Sequence, residues 1–61
     1  MAQGRFTRAK NFAYEFMDKH PEFKAEVIDY FELMKNEVEE GNSVENEIDL
    51  FIGSCKDLLI S

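Results

Sequence analysis

Apolar residues along this chain recur at steps of three and four, and no stretch alternates at the step of two that a strand requires. The longest regular run lies between His20 and Gly41. There Phe23, Val27, Tyr30, Phe31, Met34 and Val38 fall within an arc of about 100°, given about 100° of turn per residue. The stretch also carries its own boundaries. Pro21 suits the first helical position, where a missing N–H costs nothing, with His20 before it as N-cap and Glu22 near the positive helix end. Gly41 suits the position after the last turn, where the backbone goes left-handed. The pattern predicts an amphipathic helix over 21–40.

Two further helices flank it. Thr7 reads as the N-cap of a first helix running to about Lys19, in which Phe6, Ala9, Ala13, Phe16 and Met17 share one face and His20 continues the stripe. Phe12 and Tyr14 sit about 100° to either side of that face, so its apolar arc is wide enough to touch two neighbours. After Gly41, Asn42 or Ser43 caps a third helix; with Asn42 as cap, Glu45 falls where a capping box needs it. Val44, Ile48, Phe51, Ile52, Cys55, Leu58 and Leu59 then repeat at helical spacing, interrupted by Gly53. The expected fold is all-α, a small antiparallel three-helix bundle with helices at about 7–19, 21–40 and 43–60. It forms one domain over 1–61, with Met1 to Gly4 frayed.

Size and composition sharpen this picture. At 61 residues and 44% hydrophobic content the chain can fold, but only around a small core. Such a core rarely supplies more than about 3–5 kcal/mol. One cysteine cannot form an intrachain disulfide, and no Cys/His cluster has zinc spacing, so help from self-association or a partner is expected. The start of the chain lacks the apolar segment of a signal peptide, and no apolar run is long enough for a membrane span. With a lone cysteine, these features predict a cytoplasmic protein.

The net charge of −6 is unevenly spread. Arg5, Arg8, Lys10 and Lys19 outnumber Glu15 and Asp18 in the first third, while acids dominate the rest. In an antiparallel pair the basic start of helix one would lie beside Glu37, Glu39 and Glu40, which a helix C-terminus disfavours. Lys56 would by the same logic meet Glu22 or Glu26. An acidic surface repels phosphate backbones and anionic lipid, so neither direct nucleic-acid binding nor membrane binding is expected. A helix-turn-helix reading fails on the same ground. The helix after the turn, SVENEIDLFIGSCKDLL, carries four acids and one lysine.

Catalytic signatures are missing from the sequence. It has no nucleophile elbow, P-loop, HExxH or EF-hand loop, and solvated carboxylates have no raised pKa to work with. No enzymatic activity, metal or cofactor is expected. His20 reads as a junction residue, part cap and part packing, and Cys55 as a buried structural thiol.

Two helices carry apolar residues their core arcs do not use. On helix two these are Ile28 and Leu33, the latter about 120° from the core direction, in a stripe of Glu22, Glu26, Asp29, Glu37 and Glu40. On helix three Leu50 points away from Ile48, among Asn46, Glu47, Ser54 and Asp57. Isolated exposed leucines are ordinary. An apolar centre with a charged rim is nevertheless interface anatomy. The expected site is a protein-binding surface of Leu33, Ile28, Leu50, Glu26, Asp29 and Glu37, taking a partner protein with a basic rim. The chain is thus expected to be a small acidic interaction module, adaptor or inhibitor. An alternative reads the acidic stripe as a nucleic-acid mimic that blocks a basic nucleic-acid-binding protein. Self-association is a third expectation, with Phe12, Tyr14 and Phe16 completing their burial across a twofold axis.

Overall fold

The computed structural model describes residues 6–60. Three helices, α1 (Thr7–Lys19), α2 (Lys24–Glu39) and α3 (Val44–Ile60), pack into a three-helix bundle, with a 3₁₀ turn at Pro21–Phe23 leading into α2. Among the described residues no helix is long and apolar enough to cross a membrane. The fraying expected of Met1 to Gly4 falls outside the described residues, as do the contacts expected of Arg5.

One buried cluster joins the helices. Ala9, Ala13 and Phe16 come from α1, Val27 and Met34 from α2, and Ile48, Phe51 and Cys55 from α3. The two alanines let neighbouring backbones approach α1, and Phe16 fills the space one turn further on. All six phenylalanines belong to one connected ring network. Phe6 meets Phe31 edge-on at 6.1 Å, and Phe31 meets Phe51 at 5.6 Å. Phe51 meets Phe12 at 6.3 Å, Phe12 stacks on Phe16 at 5.7 Å, and Phe16 reaches Phe23 at 6.3 Å. Such ring pairs add about 0.5–1.5 kcal/mol each beyond their buried area. Phe51 links α3 to both other helices through this network.

The helix ends differ in detail from their sequence patterns. Thr7 is the first residue of α1 rather than its cap; Phe6 occupies the cap position, its ring seated on Phe31. Pro21 does not begin the α-helix. His20, held at φ −133° and ψ 68° before the proline, turns the chain sharply. The chain then completes an i→i+3 turn, Lys24 N–H to Pro21 carbonyl, before α2 starts. Gly41 does terminate α2, with φ +106°. Its N–H bonds the Val38 carbonyl at 3.0 Å, and the Asn42 N–H bonds that of Glu37 at 3.1 Å, the paired arrangement of a Schellman motif. Asn42 caps nothing on α3. Its Nδ2 donates back to Glu37 Oε1 at 3.1 Å, where an apolar contact more often closes this motif. Ser43 is the residue before α3, its carbonyl accepting from the Glu47 N–H at 3.0 Å.

The α3 seam continues from Cys55 to Leu58, a step of three, and leaves Leu59 half exposed. Charge pairing also differs from expectation. Arg8 pairs with Asp49 of α3, not with the end of α2. Among the described residues no cation lies within ion-pair distance of Glu37, Glu39 or Glu40, and Lys56 makes no such pair with Glu22 or Glu26. The reason lies in the packing: α2 makes its most extensive contact with α3, so the last turns of α2 border the start of α3.

Candidate functional site

Among the described residues a groove opens on each side of α2. The larger, about 460 Å³, lies between α2 and α3. Helix α2 contributes Tyr30, Leu33, Met34 and Glu37, and α3 contributes Glu47, Leu50, Phe51 and Ser54. Each set has the spacing i, i+3, i+4, i+7, so each is one straight edge of a helix. Met34 and Phe51 are buried and belong to the core below. Leu33 and Leu50 stand above them, 60% and 63% exposed. The groove thus has an apolar floor and one open leucine from each helix.

Carboxylates flank these leucines. Glu37 and Glu47, one from each helix, line the same groove and are half-buried. Arg8 pairs with Asp49, and His20 Nδ1 approaches Glu22 at 3.9 Å; no other cation lies within ion-pair distance of a carboxylate among the described residues. Neither groove carboxylate therefore has a cationic partner among them. Glu37 is instead positioned by the Asn42 amide, which ties the carboxylate to the α2–α3 turn.

The smaller groove, about 180 Å³, separates α1 from α2. Tyr14 and Met17 of α1 face Ile28 and Phe31 of α2 there, with Lys10 and Glu32 among the lining residues. Tyr14 is 66% and Ile28 46% exposed.

Of the six residues singled out by sequence, the structure brings Leu33, Leu50 and Glu37 into one groove. Ile28 lies in the other, and Glu26 and Asp29 are exposed and line neither. Glu47 was visible only as a neighbour of Leu50. Its spacing to Leu50 and Ser54 matches that of Tyr30 to Leu33 and Glu37, and this parallel is the signal that would have picked it out. The stripe expected to dimerise is largely used up inside the molecule. Phe16 is buried and Phe12 is packed against Phe16 and Phe51, leaving Tyr14.

His20 sits where α1 ends. Its N–H bonds the Phe16 carbonyl at 2.8 Å, its own carbonyl accepts from Phe23 at 3.0 Å, and its ring lies 5.0 Å from that of Phe16. His20 thus caps the end of α1 through its backbone and packs through its ring, while its side chain makes no cap hydrogen bond to the turn that follows. Cys55 is fully buried, and loss of solvent pushes its thiol up from 9.0 to about 11. A thiol so held is almost wholly protonated near neutrality, and the thiolate is the reactive form. Among the described residues no group of three or more His, Cys, Asp or Glu side chains gathers as a metal site would require. No protein-family model matches this chain, and no match is found among curated proteins or solved structures.

Proposed function

We propose that this chain is a small, non-catalytic protein-binding module whose docking face is the groove between α2 and α3. The observation that supports this reading is the convergence of Leu33 and Leu50, both open to solvent, above the buried floor of Met34 and Phe51. One exposed leucine is unremarkable on a soluble protein; two from separate helices over one apolar floor form a patch with a shape. A groove between two helices accepts a third, laid in through apolar residues at i, i+3, i+4 and i+7. The partner's rim is basic, because Glu37 and Glu47 flank the leucines with no cationic partner among the described residues and the whole chain carries −6. The lone buried thiol of Cys55 fits work in a reducing, cytoplasmic compartment.

The second reading, an acidic mimic of nucleic acid, draws on Glu26, Asp29 and Glu37 of α2 with Glu22 in the turn before it and Glu40 just after it, all exposed except the half-buried Glu37. The two readings place the energy on different residues. Fluorescence anisotropy with a labelled, four-turn amphipathic peptide of leucines flanked by lysines separates them. The docking reading expects Leu33→Asp and Leu50→Asp each to weaken binding by about tenfold or more, the loss of one well-buried anchor. It expects Glu26→Lys with Asp29→Lys to change affinity by less than about threefold, as rim charges do. If the leucine variants bind like the parent while the charge reversals abolish binding, the docking reading falls and the mimic stands.

A further inference from the structure

We infer that the groove between α1 and α2 is a self-association surface, taking a second copy of this chain about a twofold axis that runs along the groove. The two grooves differ in the sign of their edges. The α2–α3 groove is flanked by carboxylates on both sides, Glu37 and Glu47, so two copies meeting there would oppose like charges. The α1–α2 groove carries a cation on one side and an anion on the other, Lys10 on α1 and Glu32 on α2. Lys10 precedes Tyr14 by one turn, and Glu32 follows Ile28 by one turn. Ring contacts between this part of the chain and the segment of α2 with its leading turn run from Phe6 with Phe31 to Phe16 with Phe23. That antiparallel order places Lys10 beside Ile28 and Glu32 one turn further toward the same end of the groove, with Tyr14 and Met17 toward the other.

A twofold contact is isologous: each side chain meets the symmetry-related patch. An axis along the groove lays α1 of one copy over α2 of the other, which sets Lys10 within one turn of Glu32 of the partner subunit, twice. The apolar residues then meet in the middle. An axis across the groove would instead set α1 against α1 and carry Lys10 to the opposite end, over apolar residues, leaving Lys10 and Glu32 without opposite charges. Charge selects the first arrangement. It also selects this face over the rest of the molecule, because α1 is the element where Arg8, Lys10 and Lys19 match or exceed the acids Glu15 and Asp18. A pair of chains each carrying −6 associates with least repulsion through it. Tyr14 and Ile28, both exposed in the single chain, become the central contact.

The test is sedimentation equilibrium of the full chain from micromolar to millimolar concentration, with Lys10→Glu, Glu32→Lys and the double swap Lys10→Glu/Glu32→Lys. Both positions are solvent-exposed, and circular dichroism checks that each variant keeps its helix content. The parent is expected to show a reversible monomer–dimer equilibrium. Each single reversal should weaken it by about tenfold, since both symmetric pairs turn repulsive, and the swap should restore it to within about threefold. Leu33→Asp, in the other groove, should leave the dimer constant unchanged. A parent that stays monomeric throughout overturns the inference, as does a swap no better than the single variants or loss of the dimer in Leu33→Asp. The peptide reading and this one fail separately, because they use different grooves.

Discussion

Replacing Phe51 with alanine should unfold this protein. The ring is 3% exposed and is the sole aromatic on α3, where it meets Phe31 at 5.6 Å and Phe12 at 6.3 Å, both edge-on. Truncating a buried phenylalanine costs about 3–5 kcal/mol through lost transfer energy and the cavity left behind. The two ring pairs account for about 1–3 kcal/mol of that. A core of this size supplies about 3–5 kcal/mol in all, so Phe51→Ala should leave half or less of the chain folded at room temperature. Phe51→Leu keeps most of the apolar volume but loses the ring geometry, and should cost about 1–3 kcal/mol while staying folded. Urea denaturation followed by far-ultraviolet circular dichroism reads both variants, with the slope confirming a cooperative transition. A Phe51→Ala chain that unfolds cooperatively with a loss under about 1.5 kcal/mol would refute the argument. The ring network would then not be what couples α3 to the other helices.

Four other substitutions test separate features of the fold. Gly53 lies within α3 with nothing within 4 Å of an added Cβ, so Gly53→Ala should stabilise by about 1 kcal/mol in thermal or urea melts. Gly41→Ala, at φ +106°, should instead cost about 1–2 kcal/mol; the same sign for both would show that helix entropy and left-handed backbone are not what separates them. The Cys55 thiol keeps its proton in the folded state up to about 11, whereas the unfolded chain loses it near 9.0. Its contribution is therefore complete below pH 9 and declines as pH rises toward 11, by up to about 1.4 kcal/mol per unit; urea midpoints should fall across that window in the parent and less steeply in Cys55→Ala. Arg8→Ala removes an ion pair whose side chains are 63% and 65% exposed, and should shift stability by less than about 1 kcal/mol in the same urea assay.

Much of this architecture is legible in the sequence because helical spacing fixes where a residue points on its own helix. The buried faces of α1 and α2 follow that spacing, and so does the placing of Leu33 and Leu50 outside the core. Gly41 is legible for a different reason: no other residue takes φ +106° as cheaply. What spacing does not fix is the neighbour. Ile28 and Leu33 are both off the core arc of α2, but they leave it on opposite sides. Which of them joins Leu50 depends on the side α3 occupies. Arg8 is the same case, since its partner Asp49 lies on a helix whose position no local pattern encodes.

The ends of the helices show a second kind of limit. Asn42 has the residue type and position of an N-cap for α3, yet its amide turns back to Glu37. Asparagine caps either way, and the choice rests on the carboxylate that Glu37 brings to the turn. Pro21 likewise satisfies the rule for a first helical position, but the turn it begins is 3₁₀. That single turn lets Phe23 reach Phe16 and His20 before α2 starts. In both places a side-chain contact selects between local conformations of similar energy.

Amide chemical-shift mapping asks whether Leu33 and Leu50 act as one docking groove. The isotope-labelled full chain is titrated with the lysine-flanked amphipathic peptide while proton–nitrogen correlation spectra are recorded. The account predicts progressive shifts at Leu33, Glu37, Glu47 and Leu50, with Tyr14, Met17 and Ile28 unmoved. Largest shifts at Tyr14 and Ile28, or none anywhere at saturating peptide, would contradict it.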